Sequence, residues 1–230
     1  MAPRSPRMNQ QLREQSRERI LTAALEVFAE HGYENATISQ VTAQAGVSRG
    51  LISYYFHTKQ DLLEAILEQW LDGLLHLFDD LGADSSADTL LAAVIDRTLA
   101  GAAATLGTQR LVLCLMVQPG TREVYARVEH RRADAMATFE DRLRDVFAVR
   151  GASDPAVEEV LLRSLLEGVM FKLAVYEDTY PLDAIRTRLY DIYRLGTPPP
   201  LPLPDHDFSA GQRLRAPRHD GQAGSIQRLR

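Results

Sequence analysis

The sequence has very few of the residues that define several other classes of protein. Cys114 is the only cysteine among 230 residues, and aromatic residues make up 7%. A single cysteine excludes an intramolecular disulfide framework and a zinc site built from several thiolates, and it is typical of a reducing compartment such as the cytoplasm. Because aromatics are scarce, the 45% of hydrophobic residues are mostly Leu, Ala and Val. This composition favours helices.

Long apolar runs are missing as well. No stretch reaches the roughly 18 apolar residues of a membrane helix, and the N-terminal MAPRSPRMNQQLREQS has no apolar core that would make it a secretory signal. The motifs GxxxxGK[ST], GxGxxG, HExxH and GxSxG are absent, as is a His/Cys cluster at ligand spacing. We therefore expect a protein that has no membrane contact, no catalytic residue, no cofactor and no metal. A helical enzyme whose carboxylates and histidines converge only in space stays open as an alternative.

The charge is unevenly distributed along the chain. The net charge is −5, which by itself disfavours a nucleic-acid partner. Residues 1–60 nevertheless carry +2, residues 61–196 carry −9 and residues 197–230 carry +2. This asymmetry indicates a positive end that meets a polyanion and an acidic body with another role. Ordinary scatter of surface charge explains it equally well until a motif decides.

Apolar residues recur at helical spacing from Ser16 to Leu195, which predicts an all-α fold. The run LVLCLMV at 111–117 is compatible with a buried strand or a buried helix, and we interpret it as a helix because no nearby strand could pair with it. A long charged helix is predicted over 122–150. The predicted organisation is a flexible basic arm (1–13), an N-terminal helical unit (14–74), a larger helical body (75–196) and a disordered proline-rich tail (197–230).

Residues 37–56 have the spacing of a helix-turn-helix motif. Thr37 and Gln40 form a capping-box sequence that starts a short helix, and Ser48 caps the next one. Between them, Gly46 can take a positive φ in the turn, while Val41, Ala45, Val47 and Ile52 would lock the two helices together. Helix corners in other proteins share this spacing. In a DNA-binding motif the second helix would lie in the major groove.

Residues 16–63 closely resemble the DNA-binding domain of the tetracycline-repressor (TetR) family of bacterial transcriptional regulators. The resemblance rests on the order and spacing of these segments: Ala23-Ala24 through Phe28, His31-Gly32-Tyr33, Thr37-Ile38, Ala45-Gly46-Val47-Ser48, Tyr55-Phe56, Lys59 and Leu62-Leu63. It implies that residues 14–74 are a DNA-binding domain, with the helix-turn-helix at 37–56, and that residues 75–196 are a ligand-binding and dimerisation domain. The implied protein is a homodimeric repressor that a small-molecule effector releases from a palindromic operator. An effector-independent helix-turn-helix protein is the alternative.

The resemblance also implies which residues meet double-stranded DNA. These are Thr37, Ser48, Arg49, Gly50, Ser53, Tyr54, Tyr55, His57 and Lys59. Thr37, His57 and Lys59 would contact phosphates, and Arg49 would either read guanine or hold a phosphate. The family often has Tyr at the position of Ser53, so one phosphate contact is expected to be missing. Alternatively, Tyr54 belongs to the core and the side chains of His57 and Lys59 are merely solvated. Arginines of the arm could enter a minor groove, although a disordered leader is the simpler interpretation.

Two helices predicted over 155–177 and 181–195 have broader apolar faces than one chain's core needs. A two-fold helical interface explains them, and a deeply buried core pair is the alternative. The predicted interface residues are Leu161, Leu165, Gly168, Leu182, Ile185, Leu189 and Ile192.

The resemblance implies an effector pocket in the body, for which the sequence offers only apolar candidates. These are Trp70, Phe78, Leu91, Ile95, Cys114, Met116, Phe139 and Phe171. Each of them could equally be an ordinary core residue.

Overall fold

The computed structural model describes residues 6–79, 81–82 and 84–201. These residues form ten α-helices and a single 3-10 turn, and no strand occurs among them. The helices are α1 (Pro6–His31), α2 (Ile38–Ala45), α3 (Arg49–Tyr55), α4 (Lys59–Leu75), α5 (Ala87–Ala104), α6 (Leu106–Val117), α7 (Pro119–Arg131), α8 (Ala133–Val149), α9 (Pro155–Tyr176) and α10 (Leu182–Tyr193). The predicted all-α fold is confirmed.

Local signals in the sequence set most of the helix ends. Oxygens of N-cap side chains accept hydrogen bonds from free backbone N–H groups at the starts of five helices, and these caps are Thr37, Ser48, Thr58, Ser86 and Asp154. Gly32 follows α1 with φ +74°, which glycine adopts without the steric penalty of a Cβ. The predicted helix over 111–117 lies within α6.

Buried side chains form two main apolar cores. The first, which we call the reader core, joins α1–α4 to two helices of the body. Leu111, Val112 and Leu115 of α6 and Val124 and Val128 of α7 belong to this core. Helices α1–α4 are called the reader unit below. The reader unit therefore shares its interior with the body.

The second core, the body core, joins the end of α4 to α5, α8, α9 and α10. A buried ion pair ties two of these helices together. Arg186 of α10 donates to both carboxylate oxygens of Asp96 on α5, at 2.7 and 2.8 Å, and to the carbonyl oxygen of Pro199. The hydroxyl of Tyr190 donates to the same carboxylate at 2.7 Å. Because each partner compensates the buried charge of the other, the cluster fixes α10 on α5.

Three predictions about organisation need correction or lie outside the described residues. Helix α1 begins at Pro6, so much of the predicted flexible arm is helical. This extension has no apolar signal of its own, which is why periodicity missed it. The predicted helix over 122–150 is divided at Arg132 into α7 and α8, although no Gly or Pro marks the break. Most of the predicted tail, residues 202–230, lies outside the described residues.

Within the described ranges, no single helix combines the length and hydropathy of a membrane span. Helices α5 and α6 reach that length and hydropathy only when taken together, and the two helices are bent by 96° relative to each other.

Candidate nucleic-acid interface

Helices α2 and α3 form the predicted helix-turn-helix. Gly46 ends α2 in the left-handed conformation, with φ 61° and ψ 37°. Val41, Ala45 and Ile52 are buried in the reader core. The positive φ turns the chain within the few residues between the helices, and the buried side chains hold α3 against α2.

The start of α2 is a complete capping box. The Gln40 N–H donates to Thr37 Oγ1 at 3.2 Å, while the N–H and the hydroxyl of Thr37 both donate to Gln40 Oε1 at 2.8 Å. The Thr37 hydroxyl proton is thus donated within the chain, and the expected phosphate contact of this hydroxyl stays a prediction. The N–H groups of Ile38 and Ser39 have no acceptor among the described residues, and they remain available to an anion.

The recognition helix, α3, exposes the residues that the resemblance implied. Arg49, Gly50, Ser53 and Tyr54 are exposed, and Arg49 has no acidic partner among the described residues. Tyr54 is 63% exposed, which excludes the alternative that it belongs to the core. The Ser48 hydroxyl oxygen accepts from the Leu51 N–H at 3.2 Å and so starts the helix.

Lys59 is engaged within the reader unit. Its ammonium donates to the carbonyl oxygens of Tyr33, Glu34 and Ala36, at 2.7, 3.0 and 3.1 Å. It also lies 4.5 Å from the centroid of the Tyr33 ring. An ammonium has three N–H groups, and here each has an acceptor. Lys59 thus fixes the loop before α2 onto the start of α4. The expected phosphate contact stays a prediction, and it would require Lys59 to give up one of these acceptors.

Tyr55 and His57 flank the end of the recognition helix. The Tyr55 hydroxyl donates to the carbonyl oxygen of Arg13 on α1 at 3.2 Å, so it joins two helices of the reader unit. The His57 N–H donates to Asp61 at 2.8 Å, while the residue itself is exposed. A phosphate contact of the imidazole stays a prediction.

The residues predicted for a dimer interface are not all accessible. Leu161, Gly168 and Ile192 are exposed, whereas Leu165, Leu182 and Ile185 are half-buried against the body core. Leu189 is 3% exposed and packs inside its own chain. Leu189 is therefore removed from the predicted interface, because it has no surface left for a partner.

The predicted pocket residues do not surround a common cavity. Phe78, Leu91, Ile95 and Phe139 are buried in the body core, and Trp70 packs against the reader core. Cys114, Met116 and Phe171 are exposed. One open groove of about 390 Å³ lies along α7 and α8 and another of about 410 Å³ along α7, and none of these eight residues lines either groove. Helical periodicity could not separate residues packed against each other from residues lining a space.

A row of ion pairs between α4 and α7, which the sequence reasoning missed, connects the reader unit to the body. Arg131 donates to Glu64 at 2.8 Å and to Glu68 at 2.9 Å, and Arg132, directly after α7, donates to Asp72 at 2.9 Å. Arg127 lies 3.5 Å from Glu64. We call these six residues the charge ladder. The spacing of the three carboxylates, four residues apart on α4, was the available signal.

Comparison with known proteins agrees with this geometry. Residues 20–66 match the model of the bacterial regulatory proteins of the tetR family. The chain is 38% identical over 84 residues to the HTH-type transcriptional regulator SrpR of Pseudomonas putida, which covers 36% of this chain and 39% of SrpR. It is 40% identical over 84 residues to the regulator BetI of Escherichia coli, covering 35% of this chain and 43% of BetI. The chain thus spans less than half the length of these two curated relatives, and both are named as transcriptional regulators rather than enzymes.

Similarity of fold extends over most of the chain. The structure of the transcriptional regulator FadR of Bacillus subtilis, in complex with stearoyl-CoA, superimposes with a TM-score of 0.63 at 20% identity, covering 76% of this chain and 96% of FadR. The body thus shares the arrangement of helices seen in that regulator. The sequence match lies instead in the helices that carry the helix-turn-helix, where residues 20–66 are similar to the tetR family of bacterial regulatory proteins.

Proposed function

We propose that the protein is a transcriptional regulator that binds double-stranded DNA through α3. The observation that carries the proposal is the exposed recognition helix, fixed by the turn at Gly46, in a segment that matches the family model. Arg49 stands at the start of this helix, and its guanidinium has no partner in the part of the chain that the structure describes. A guanidinium has the geometry for a bidentate contact to guanine. Ser53 and Tyr54 follow on the next turn. The N–H groups at the start of α2 would hold a phosphate and set the orientation of the reader unit.

We further propose that two copies associate through α9. Five exposed residues follow one stripe of this helix: Val157, Leu161, Gly168, Phe171 and Val175. We call this stripe the α9 face. The four large side chains are 45–59% exposed, an unusual extent for neighbouring apolar residues. A second copy would cover the face in a two-fold arrangement and place two recognition helices about 34–36 Å apart, one turn of a palindromic operator.

A small-molecule effector is proposed to control this spacing. The FadR of Bacillus subtilis, whose fold the body shares, forms a complex with stearoyl-CoA, and this supports a ligand-binding role for a body of this fold. Helix α6 shares the reader core with α1, and α7 holds α4 through the charge ladder. A ligand that shifts α6 or α7 would therefore move the reader unit. A preference of a few kcal/mol between two states is enough for such a switch.

The packing of the body core favours a second candidate, a DNA-binding protein that needs no effector. Four of the predicted pocket residues fill that core. In this case DNA binding would be the same in the presence and absence of small molecules extracted from the source cells.

A gel-shift experiment tests the proposed function. The probes are duplexes spanning the DNA on either side of the protein's own gene, and the control is a shuffled duplex of the same composition. We expect at least one native fragment to bind at a protein concentration that leaves the shuffled duplex free. Equal affinity for all duplexes would contradict a sequence-specific regulator.

A further inference from the structure

We infer that Arg13 and Arg17 of α1 form a second phosphate-binding element beside the recognition helix. The inference rests on the proposed DNA binding and adds a contact outside the helix-turn-helix. In this arrangement the N-terminal part of α1 grips the backbone next to the bases that α3 reads.

Direct contacts join this part of α1 to the end of the recognition helix. The hydroxyl of Tyr55, the last residue of α3, donates to the backbone carbonyl oxygen of Arg13 at 3.2 Å. One turn further along α1, the Arg17 guanidinium lies 5.6 Å from the centroid of the Phe56 ring. Arg13 and Arg17 are four residues apart and therefore share one face of α1. The backbone of Arg13 and the side chain of Arg17 thus contact the two residues at which the chain leaves α3.

The supply of cations in the reader unit makes these two arginines important. Its described Lys and Arg side chains are Arg13, Arg17, Arg19, Arg49 and Lys59. The ammonium of Lys59 already donates to three carbonyl oxygens. Among these five, Arg49 is then the only free cation on α3 or at the start of α4. Neutralised phosphates supply most of the non-specific affinity for DNA. Among the described side chains of the reader unit, the remaining arginines that could supply such contacts all lie on α1.

Both arginines can turn to a phosphate at little cost. Arg13 is exposed and has no acidic partner among the described residues. Arg17 lies 3.6 Å from Glu18, but the two side chains are 43% and 53% exposed. An exposed pair of this kind is weak, and exchanging it for a phosphate loses little. In the absence of DNA, the Arg17 guanidinium lies over the Phe56 ring.

The salt dependence of DNA binding tests the inference. Fluorescence anisotropy with a labelled shuffled duplex of about 30 base pairs measures the affinity from about 50 to about 200 mM KCl. Log affinity falls linearly with log salt, and each lost phosphate contact reduces the steepness of this line by about 0.9. A dimer loses two contacts when one arginine is replaced, so we expect Arg13→Ala and Arg17→Ala each to reduce the steepness by about 1.8. Arg19→Ala is the matched control, because Arg19 is exposed on a different face of the same helix.

Two further variants separate charge from packing. Arg17→Lys keeps the charge and is expected to retain the salt dependence of the wild type. Arg17→Met keeps the apolar stem without the charge and is expected to show the weaker salt dependence of Arg17→Ala. Slopes of the Arg13→Ala and Arg17→Ala variants equal to that of Arg19→Ala would overturn the inference while leaving the proposed function intact. Wild-type protein that binds neither this duplex nor any native fragment would overturn both.

Discussion

Lys59 and Tyr33 are joined in two ways: the ammonium donates to the Tyr33 carbonyl oxygen at 2.7 Å and lies 4.5 Å from the centroid of the same residue's ring. A lysine that resembles a DNA contact in the sequence thus works inside the protein. It connects the loop before α2 with the first turn of α4. The orientation of the helix-turn-helix relative to α4 depends on this contact.

Replacing Lys59 with Met is expected to lower the stability of the fold, beyond the effect of removing one positive charge. The change leaves the carbonyl oxygens of Tyr33, Glu34 and Ala36 without their donor, and hydrogen bonds to a charged group are worth about 1.5–3 kcal/mol each when partly buried, without being additive. We expect the free energy of unfolding in urea to fall by about 2 kcal/mol. Arg19→Met removes a charge from an exposed position and is the control. Equal losses in the two variants would contradict the structural role.

Arg49→Ala is expected to weaken binding to a native fragment by about 1–3 kcal/mol and to relax the sequence preference, if Arg49 reads a base. The measurement is anisotropy with the native fragment and with copies carrying single base changes. Arg19→Ala, which removes an exposed arginine from α1 rather than from the recognition helix, serves as the control. A uniform loss on all duplexes would instead make Arg49 a phosphate contact.

The charge ladder is expected to contribute a modest, salt-sensitive coupling between α4 and α7. Glu68 and Arg131 are 35% and 42% exposed at their side chains, so solvent screens their attraction. A double-mutant cycle with Glu68→Gln and Arg131→Met is expected to give a coupling free energy of about 0.5–1 kcal/mol at low salt and much less at about 1 M NaCl. Urea unfolding measures it. A coupling that does not depend on salt would show that packing, rather than charge, joins the helices.

Acid is expected to loosen the start of α4. Burial alone would raise the pKa of Asp61, but hydrogen bonds from the Thr58 hydroxyl and from the N–H groups of Thr58 and His57 together hold this pKa below its usual 3.8. A carboxylate whose pKa is lower in the folded state stabilises the fold above the unfolded pKa, and this stabilisation disappears as the pH falls through the folded pKa.

The free energy of unfolding in urea is therefore expected to differ less between neutral pH and about pH 3 for Asp61→Asn than for the wild type. Glu30→Gln, which changes an exposed carboxyl without a hydrogen bond among the described residues, is the control. The prediction fails if both variants show the wild-type difference.

The α9 face gives a direct test of association. Leu161→Glu or Phe171→Glu would place a charge against its counterpart in a two-fold interface, and burying an unpaired charge costs several kcal/mol. We expect the wild type to sediment as a dimer and both variants as monomers at micromolar concentration. Val117→Glu, at an apolar residue that is 79% exposed elsewhere on the body, is expected to leave the dimer unchanged. A wild-type monomer would remove the dimer proposal.

The sequence predicted features that depend on neighbouring residues and missed those that depend on packing. The capping box of Thr37 and Gln40 and the left-handed Gly46 are local, because their partners lie within a few residues. The contacts of Lys59 join residues 23 to 26 positions apart, and residue type alone does not distinguish a carbonyl acceptor from a phosphate. Phe171 and Leu189 illustrate the same limit: both are apolar at helical spacing, and only the packed fold shows that one is exposed and the other buried.

The shared reader core has a consequence for modularity. Leu111, Leu115, Val124 and Val128 complete the interior of α1–α4 from a distant part of the chain, so cutting the chain after α4 would open that interior to water. A chimaera that joins this reader to the body of a relative would need compatible side chains at those four positions and at Val112. The reader unit is therefore not a self-contained module, and a substitution on α6 or α7 that opens the reader core is expected to destabilise the helices that carry α3.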